Sequence, residues 1–104
     1  MPAIARIGDS TFGVCPLDHS GAKGVQPYVG SGVIISGSGT TYADGIPVAR
    51  IGDSVLPGCG HVSTIVSGSG TSYADGIPIA RIGDAVAGPY VATITSGSGT
   101  SFAA

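Results

Sequence analysis

The stretch YADGIPVARIGD at residues 42–53 returns at residues 73–84 as YADGIPIARIGD, with Val48 replaced by Ile79 as the single difference. Its last five letters, ARIGD, occur a third time at 5–9. A second phrase, SGSGT, stands at 36–40, 67–71 and 96–100, each time followed by Thr or Ser, an aromatic residue and Ala. Cutting between Asp and Gly of the two ADG triplets divides the 104 residues into units 1–44, 45–75 and 76–104, of 44, 31 and 29 residues, with none left over. Phe102-Ala103-Ala104 aligns with Tyr42-Ala43-Asp44, and Met1-Pro2-Ala3-Ile4-Ala5-Arg6 with Gly45-Ile46-Pro47-Val48-Ala49-Arg50. The repeat interrupted at residue 104 therefore resumes at residue 1. An open solenoid has distinct caps, whereas a repeat that closes across its ends implies a ring of three with pseudo-threefold symmetry. The closure predicts that Met1 and Ala104 are neighbours, and the repeats leave no room for an extension domain between them.

Within each unit the local signals are those of strands. Asp-Gly at 44–45 and 75–76 is the favoured pair for a type I′ two-residue hairpin, joining GTTYA to IPVARIG and GTSYA to IPIARIG. GVIISGS and STIVSGS are short β-branched runs ending in small residues. Pro47 and Pro78 cannot donate to a ladder and belong at a strand start or a sheet edge. No window carries helical periodicity, and the abundance of Gly, Ser and Ala suits backbones that converge on a narrow axis. The expected fold is all-β: one domain of three hairpin repeats without substantial helix.

Composition narrows the function. Charged residues make up 10% of the chain, against about 25% in ordinary domains. The 42% apolar fraction and net charge of −2 are those of a chain that folds rather than of a disordered one. Lys23 is the sole lysine, accompanied by Arg6, Arg50 and Arg81, so no basic surface exists to bind nucleic acid by counterion release. No apolar run approaches the length of a membrane-spanning helix, and MPAIARIGD lacks the form of a secretory signal. Five of the six acidic residues, all Asp, occupy repeat positions 9, 53, 84, 44 and 75. Arg6/Asp9, Arg50/Asp53 and Arg81/Asp84 share one spacing. Either each pair fixes a turn within its own unit, or the three arginines form a ring facing a threefold partner.

Four residues carry soft-metal chemistry: Cys15, His19, Cys59 and His61. Cys15 and Cys59 each lie nine residues after a repeated Arg and each is followed by a His, as CPLDH and CGH; the third unit has Tyr90 at that offset. Two thiolates and two imidazoles suit tetrahedral zinc and would tie two units of a small core together. A Cys15–Cys59 disulfide, or two buried thiols beside unrelated histidines, is the alternative; the missing signal sequence favours a reducing compartment and hence the metal. Four protein ligands leave no open position for water, and there is no Glu to act as a base, so a zinc hydrolase is not expected. No nucleophile elbow supports a catalytic triad, and SGSGT lacks the Lys of a phosphate loop. No catalytic residue is assigned.

The repeated Pro-x-Ala-Arg-Ile-Gly-Asp, the SGSGT segments and the placement of the Cys-His segments together resemble the PAAR-repeat family over essentially the whole chain. That resemblance implies a small sharp cone whose broad threefold base docks on the blunt end of a trimeric β-helical spike. Such spikes belong to contractile phage tails and type VI secretion systems. It implies a structural tip that sharpens the spike and helps it breach an envelope, located on a virion baseplate or made in the cytoplasm and carried out with a secretion spike. It also implies a metal near the point, zinc rather than iron, held here by Cys15, His19, Cys59 and His61. Family members commonly use three histidines and one cysteine, so the two-plus-two set is a departure. The thirteen extra residues of unit one, within GVCPLDHSGAKGVQPYVG, are expected to form an exposed loop carrying Lys23. A stand-alone zinc-binding β-repeat adhesion module is the alternative, and it would need no trimeric partner.

Overall fold

Each Arg-Ile-Gly-Asp is a turn. The amide of Asp9, Asp53 and Asp84 donates to the carbonyl of Arg6, Arg50 and Arg81 at 3.0 Å. Gly8, Gly52 and Gly83 sit at φ of +91°, +92° and +92°, the position of a type II turn that a residue with a side chain occupies only under strain. The chain leaves each turn as a strand. The computed structural model describes residues 3–15, 28–58, 60–99 and 101–103, and the regular elements among them are all strands: β1 (Ser10–Cys15), β2 (Tyr28–Ile34), β3 (Tyr42–Ala43), β4 (Ile46–Pro47), β5 (Ser54–Pro57), β6 (Ser63–Ile65), β7 (Tyr73–Ala74), β8 (Ile77–Pro78), β9 (Ala85–Ala87) and β10 (Val91–Ile94).

Six of them close a barrel in the order β1-β10-β9-β6-β5-β2, antiparallel throughout. Each unit supplies one antiparallel pair: β1 with β2, β5 with β6, β9 with β10. The seams between units are β2·β5, β6·β9 and β10·β1, so the barrel obeys the threefold repeat and leaves no unpaired edge. Alternation along the strands points equivalent residues inward. Thr11, Val55 and Val86 are buried, as are Ile34, Ile65 and Ile94, while Phe12 and Leu56, one residue on, face outward.

Below the barrel the three units meet at the axis through alanine. Ala5 donates its amide to Ala80, Ala80 to Ala49 and Ala49 to Ala5, at 3.0, 2.9 and 2.9 Å, and all three residues are fully buried. Full burial at this meeting point favours a small side chain, in keeping with the same Ala in every copy of ARIGD. Beyond this ring lie the joints. β3 pairs with β4 and β7 with β8, each across a two-residue turn with both central φ angles positive: +56° and +76° at Asp44-Gly45, +55° and +75° at Asp75-Gly76. These are the expected type I′ hairpins. Pro47 and Pro78 end the outer strands of these two-stranded sheets, at an edge. The third joint is made by the chain ends: Ala3 bridges Phe102, and the Ile4 amide donates to Ser101 O at 2.9 Å. The same bond joins Val48 to Thr41 at 3.1 Å and Ile79 to Ser72 at 3.0 Å. Met1 and Ala104 lie outside the described residues, as does the segment 16–27 with Lys23. The barrel and the joint layer have separate cores, the second built from Ala43, Val48, Ala74 and Ile79 with Ile4 against them.

Candidate functional site

Two places on the molecule bear on function, one at each end of the pseudo-threefold axis. At the far end of the barrel, β1 terminates in Cys15, whose side chain is fully buried. His61 lies two residues before β6, and its Nδ1 is 3.3 Å from Cys15 Sγ. The fold thus brings together two residues 46 apart in sequence. Zinc bonds of about 2.3 Å to sulfur and about 2.0–2.1 Å to nitrogen, at a tetrahedral angle, place the two donors about 3.5 Å apart. The observed pair fits one edge of such a site, and thiolate with imidazole is a donor set zinc accepts. His19 and Cys59 lie outside the described residues. Among the described residues no group of three or more His, Cys, Asp or Glu comes together.

At the equivalent repeat position the third unit carries Tyr90 in place of a cysteine. Among the described residues it is the largest fully buried side chain; its hydroxyl donates to Gly30 O at 2.9 Å and is 3.2 Å from Thr11 Oγ1, and its amide donates to Ser63 Oγ at 2.9 Å. One aromatic ring therefore packs the barrel beside the Cys-His pair and ties β1, β2 and β6 together.

The arginines sit nearer the other end. Arg6 Nε and Nη2 reach Asp9 at 2.9 and 3.2 Å, with equivalent bonds from Arg50 to Asp53 and from Arg81 to Asp84. Each Asp also accepts a serine hydroxyl from a neighbouring unit: Ser96 to Asp9, Ser36 to Asp53 and Ser67 to Asp84, at 3.0–3.1 Å. Burial would raise Asp84, but the hydrogen bonds from Arg81 and Ser67 outweigh it and hold the carboxyl below its ordinary range. Hydrogen bonding to these same carboxylates raises all three guanidinium pKa values.

A second carboxylate, from the far end of the same unit, reaches two of the arginines. Arg6 Nη1 donates to Asp44 and Arg50 Nη1 to Asp75, both at 3.0 Å. Asp75 further accepts Ser38 Oγ at 2.6 Å and Thr40 Oγ1, which with Arg50 holds it below the usual carboxylate range. Asp44 likewise accepts Ser98 Oγ. SGSGT is thus a carboxylate cradle as well as a turn, a role hidden in the sequence because Ser38 and Asp75 are 37 residues apart. Around this layer the aromatic residue of each repeat stands outward: Tyr42, Tyr73 and Phe102 are 55%, 55% and 48% exposed. Only their repetition marked them in the sequence.

No curated protein matches the chain. The profile of the family described as PAAR motif matches residues 2–63 and, overlapping, residues 23–88. Three ARIGD turns around one axis, a six-stranded closed barrel and a match spanning most of the sequence lead to one assignment: this chain belongs to the PAAR-repeat family.

Proposed function

We propose that this protein is the tip of a contractile injection spike, seated on a trimeric β-helical spike by the end that carries Tyr42, Tyr73 and Phe102. Family membership implies the spike-tip role, in a phage tail or a type VI secretion machine, and the family is structural rather than enzymatic. The observation that carries the docking geometry is the closed ring of Ala5, Ala49 and Ala80. It makes a monomer threefold, so that one tip can present a similar surface to each of three identical chains. Tyr42, Tyr73 and Phe102 give that surface three exposed aromatic anchors of the kind that dominate protein interfaces. Arg6, Arg50 and Arg81 lie in the same part of the molecule, bonded to carboxylates of their own chain, and brace this surface.

At the opposite end, Cys15, His19, Cys59 and His61 would hold zinc. When bound, the metal supplies a structural cross-link between units one and two, stabilising a core too small to rely on burial alone. The 3.3 Å approach of His61 Nδ1 to Cys15 Sγ at the end of β1 supports this reading. Mixing the protein with a trimeric spike fragment and measuring mass by light scattering tests the docking. One tip per three spike chains is expected, with Tyr73→Asp weakening it; a tip that stays monomeric at micromolar concentration overturns the proposal. Metal analysis before and after chelation, with thiol titration, tests the zinc. One equivalent lost together with a fall in melting temperature is expected, and a Cys15–Cys59 disulfide in the purified protein would replace the metal.

A further inference from the structure

The Asp-Gly pairs at the joints, 44–45 and 75–76, carry a chemistry of their own. In a flexible chain the amide nitrogen of a glycine attacks the side-chain carboxyl carbon of the aspartate before it, because no side chain shields that nitrogen. Water leaves, a five-membered succinimide forms, and water then reopens the ring at either carbonyl. Opening at the main-chain carbonyl routes the backbone through the aspartate side chain, giving isoaspartate, one backbone carbon longer. Such a residue cannot hold a two-residue type I′ turn. At 75–76 it would break the pairing of Tyr73 with Pro78 and of Ala74 with Ile77, and the bond from the Ile79 amide to Ser72 O. We propose that Asp75-Gly76 is a site of spontaneous isoaspartate formation, and that the clamp of Ser38, Thr40 and Arg50 on the Asp75 carboxylate holds the reaction back.

The clamp takes hold of both oxygens. Asp75 Oδ2 accepts Ser38 Oγ at 2.6 Å and Arg50 Nη1 at 3.0 Å, and Oδ1 accepts Thr40 Oγ1. All three donors stand outside the hairpin that contains Asp75, and two of them belong to unit one. Attack needs the carboxyl plane turned face-on to Gly76 N. A carboxyl pinned at both oxygens makes that turn only by losing its bonds, and charge-assisted bonds are the strong ones. The same contacts oppose the loss of water, which needs a protonated carboxyl. Hydrogen bonds from Ser38 and Thr40, with Arg50 beside them, keep Asp75 below the usual carboxylate range. Asp75 and Gly76 are exposed, so burial does not shield them. The residue type fits as well. Asn-Gly makes the same turn as Asp-Gly, but a neutral amide offers no anion to an arginine and two hydroxyls. Asp44, gripped by Arg6 and Ser98, is the sister case.

Ageing the full chain at neutral pH, below its melting temperature, tests the clamp. Trypsin cuts after Lys23, Arg50 and Arg81, so Asp44 and Asp75 fall in separate peptides, 24–50 and 51–81. Chromatography with electron-transfer fragmentation locates isoaspartate in each. In the folded protein Asp75 should convert at least about tenfold more slowly than in the same chain unfolded in guanidinium chloride. Thr40→Val keeps the shape of the side chain and removes one bond; it should speed conversion at Asp75 about three- to tenfold while Asp44 keeps its parent rate. Thr40→Ser, which retains the hydroxyl, should keep the parent rate at both sites. Equal rates in the folded and unfolded chain overturn the proposal, with no variant needed. So does a folded Thr40→Val protein whose Asp75 rate is unchanged, or whose faster conversion is shared equally by Asp44.

Discussion

At the scale of single residues, Tyr90 shows how broken symmetry is used. Units one and two place Cys15 and Cys59 at this repeat position; unit three places an aromatic ring whose hydroxyl finds Gly30 O inside the barrel. Tyr90→Phe removes that part-buried bond and is expected to destabilise the fold by about 1 kcal/mol, seen as a lower urea midpoint with an unchanged slope. The carboxylates give a pH signature of definite sign. Asp75 and Asp84 are held below their ordinary values in the fold. They bind fewer protons there than in the unfolded chain, so their contribution is complete at neutral pH and is lost as pH falls through the folded values. The melting temperature should hold level down to the ordinary Asp value of about 4 and fall below it.

At the scale of elements, the recurrent unit is a type II turn feeding a strand. Gly52→Ala forces a Cβ into φ +92°. Space is not the obstacle, since nothing lies within 4 Å of that Cβ; the cost is the backbone conformation, about 1–2 kcal/mol, measurable by denaturant titration. Turns of this kind are legible in a sequence because their chemistry is local. Asp44-Gly45 specifies its hairpin unaided, and the phase of ARIGD locates the start of β1, β5 and β9. The order in which strands close the barrel is not local: β1 meets β10 across most of the chain, and no spacing encodes that. The cradles were opaque for the same reason, since Ser98 and Asp44 are 54 residues apart. Of the candidate metal ligands, the sequence singled out a Cys and a His that the fold does bring together, but their contact depends on the end of β1 meeting the segment that leads into β6.

At the scale of the molecule, the pairing of Ala3 with Phe102 makes the chain ends one more joint. A circular permutant opened between Asp44 and Gly45, with Asp-Gly replacing Ala104-Met1 at the new junction, should keep the parent's circular dichroism spectrum and cooperative melting. Loss of cooperativity would mean that the three joints are not interchangeable. The alanine ring carries a further consequence. Every amide in it is answered by a carbonyl of a different unit, so no unit completes any part of the ring by itself. The molecule is in effect a trimer written on one chain. A single repeat of about thirty residues could reach the same hydrogen-bond pattern only by associating with two copies of itself. Covalent linkage removes the concentration dependence of that association, and it frees the three copies to diverge. One copy can then exchange a cysteine for Tyr90 while the other two keep theirs, which identical subunits could never do.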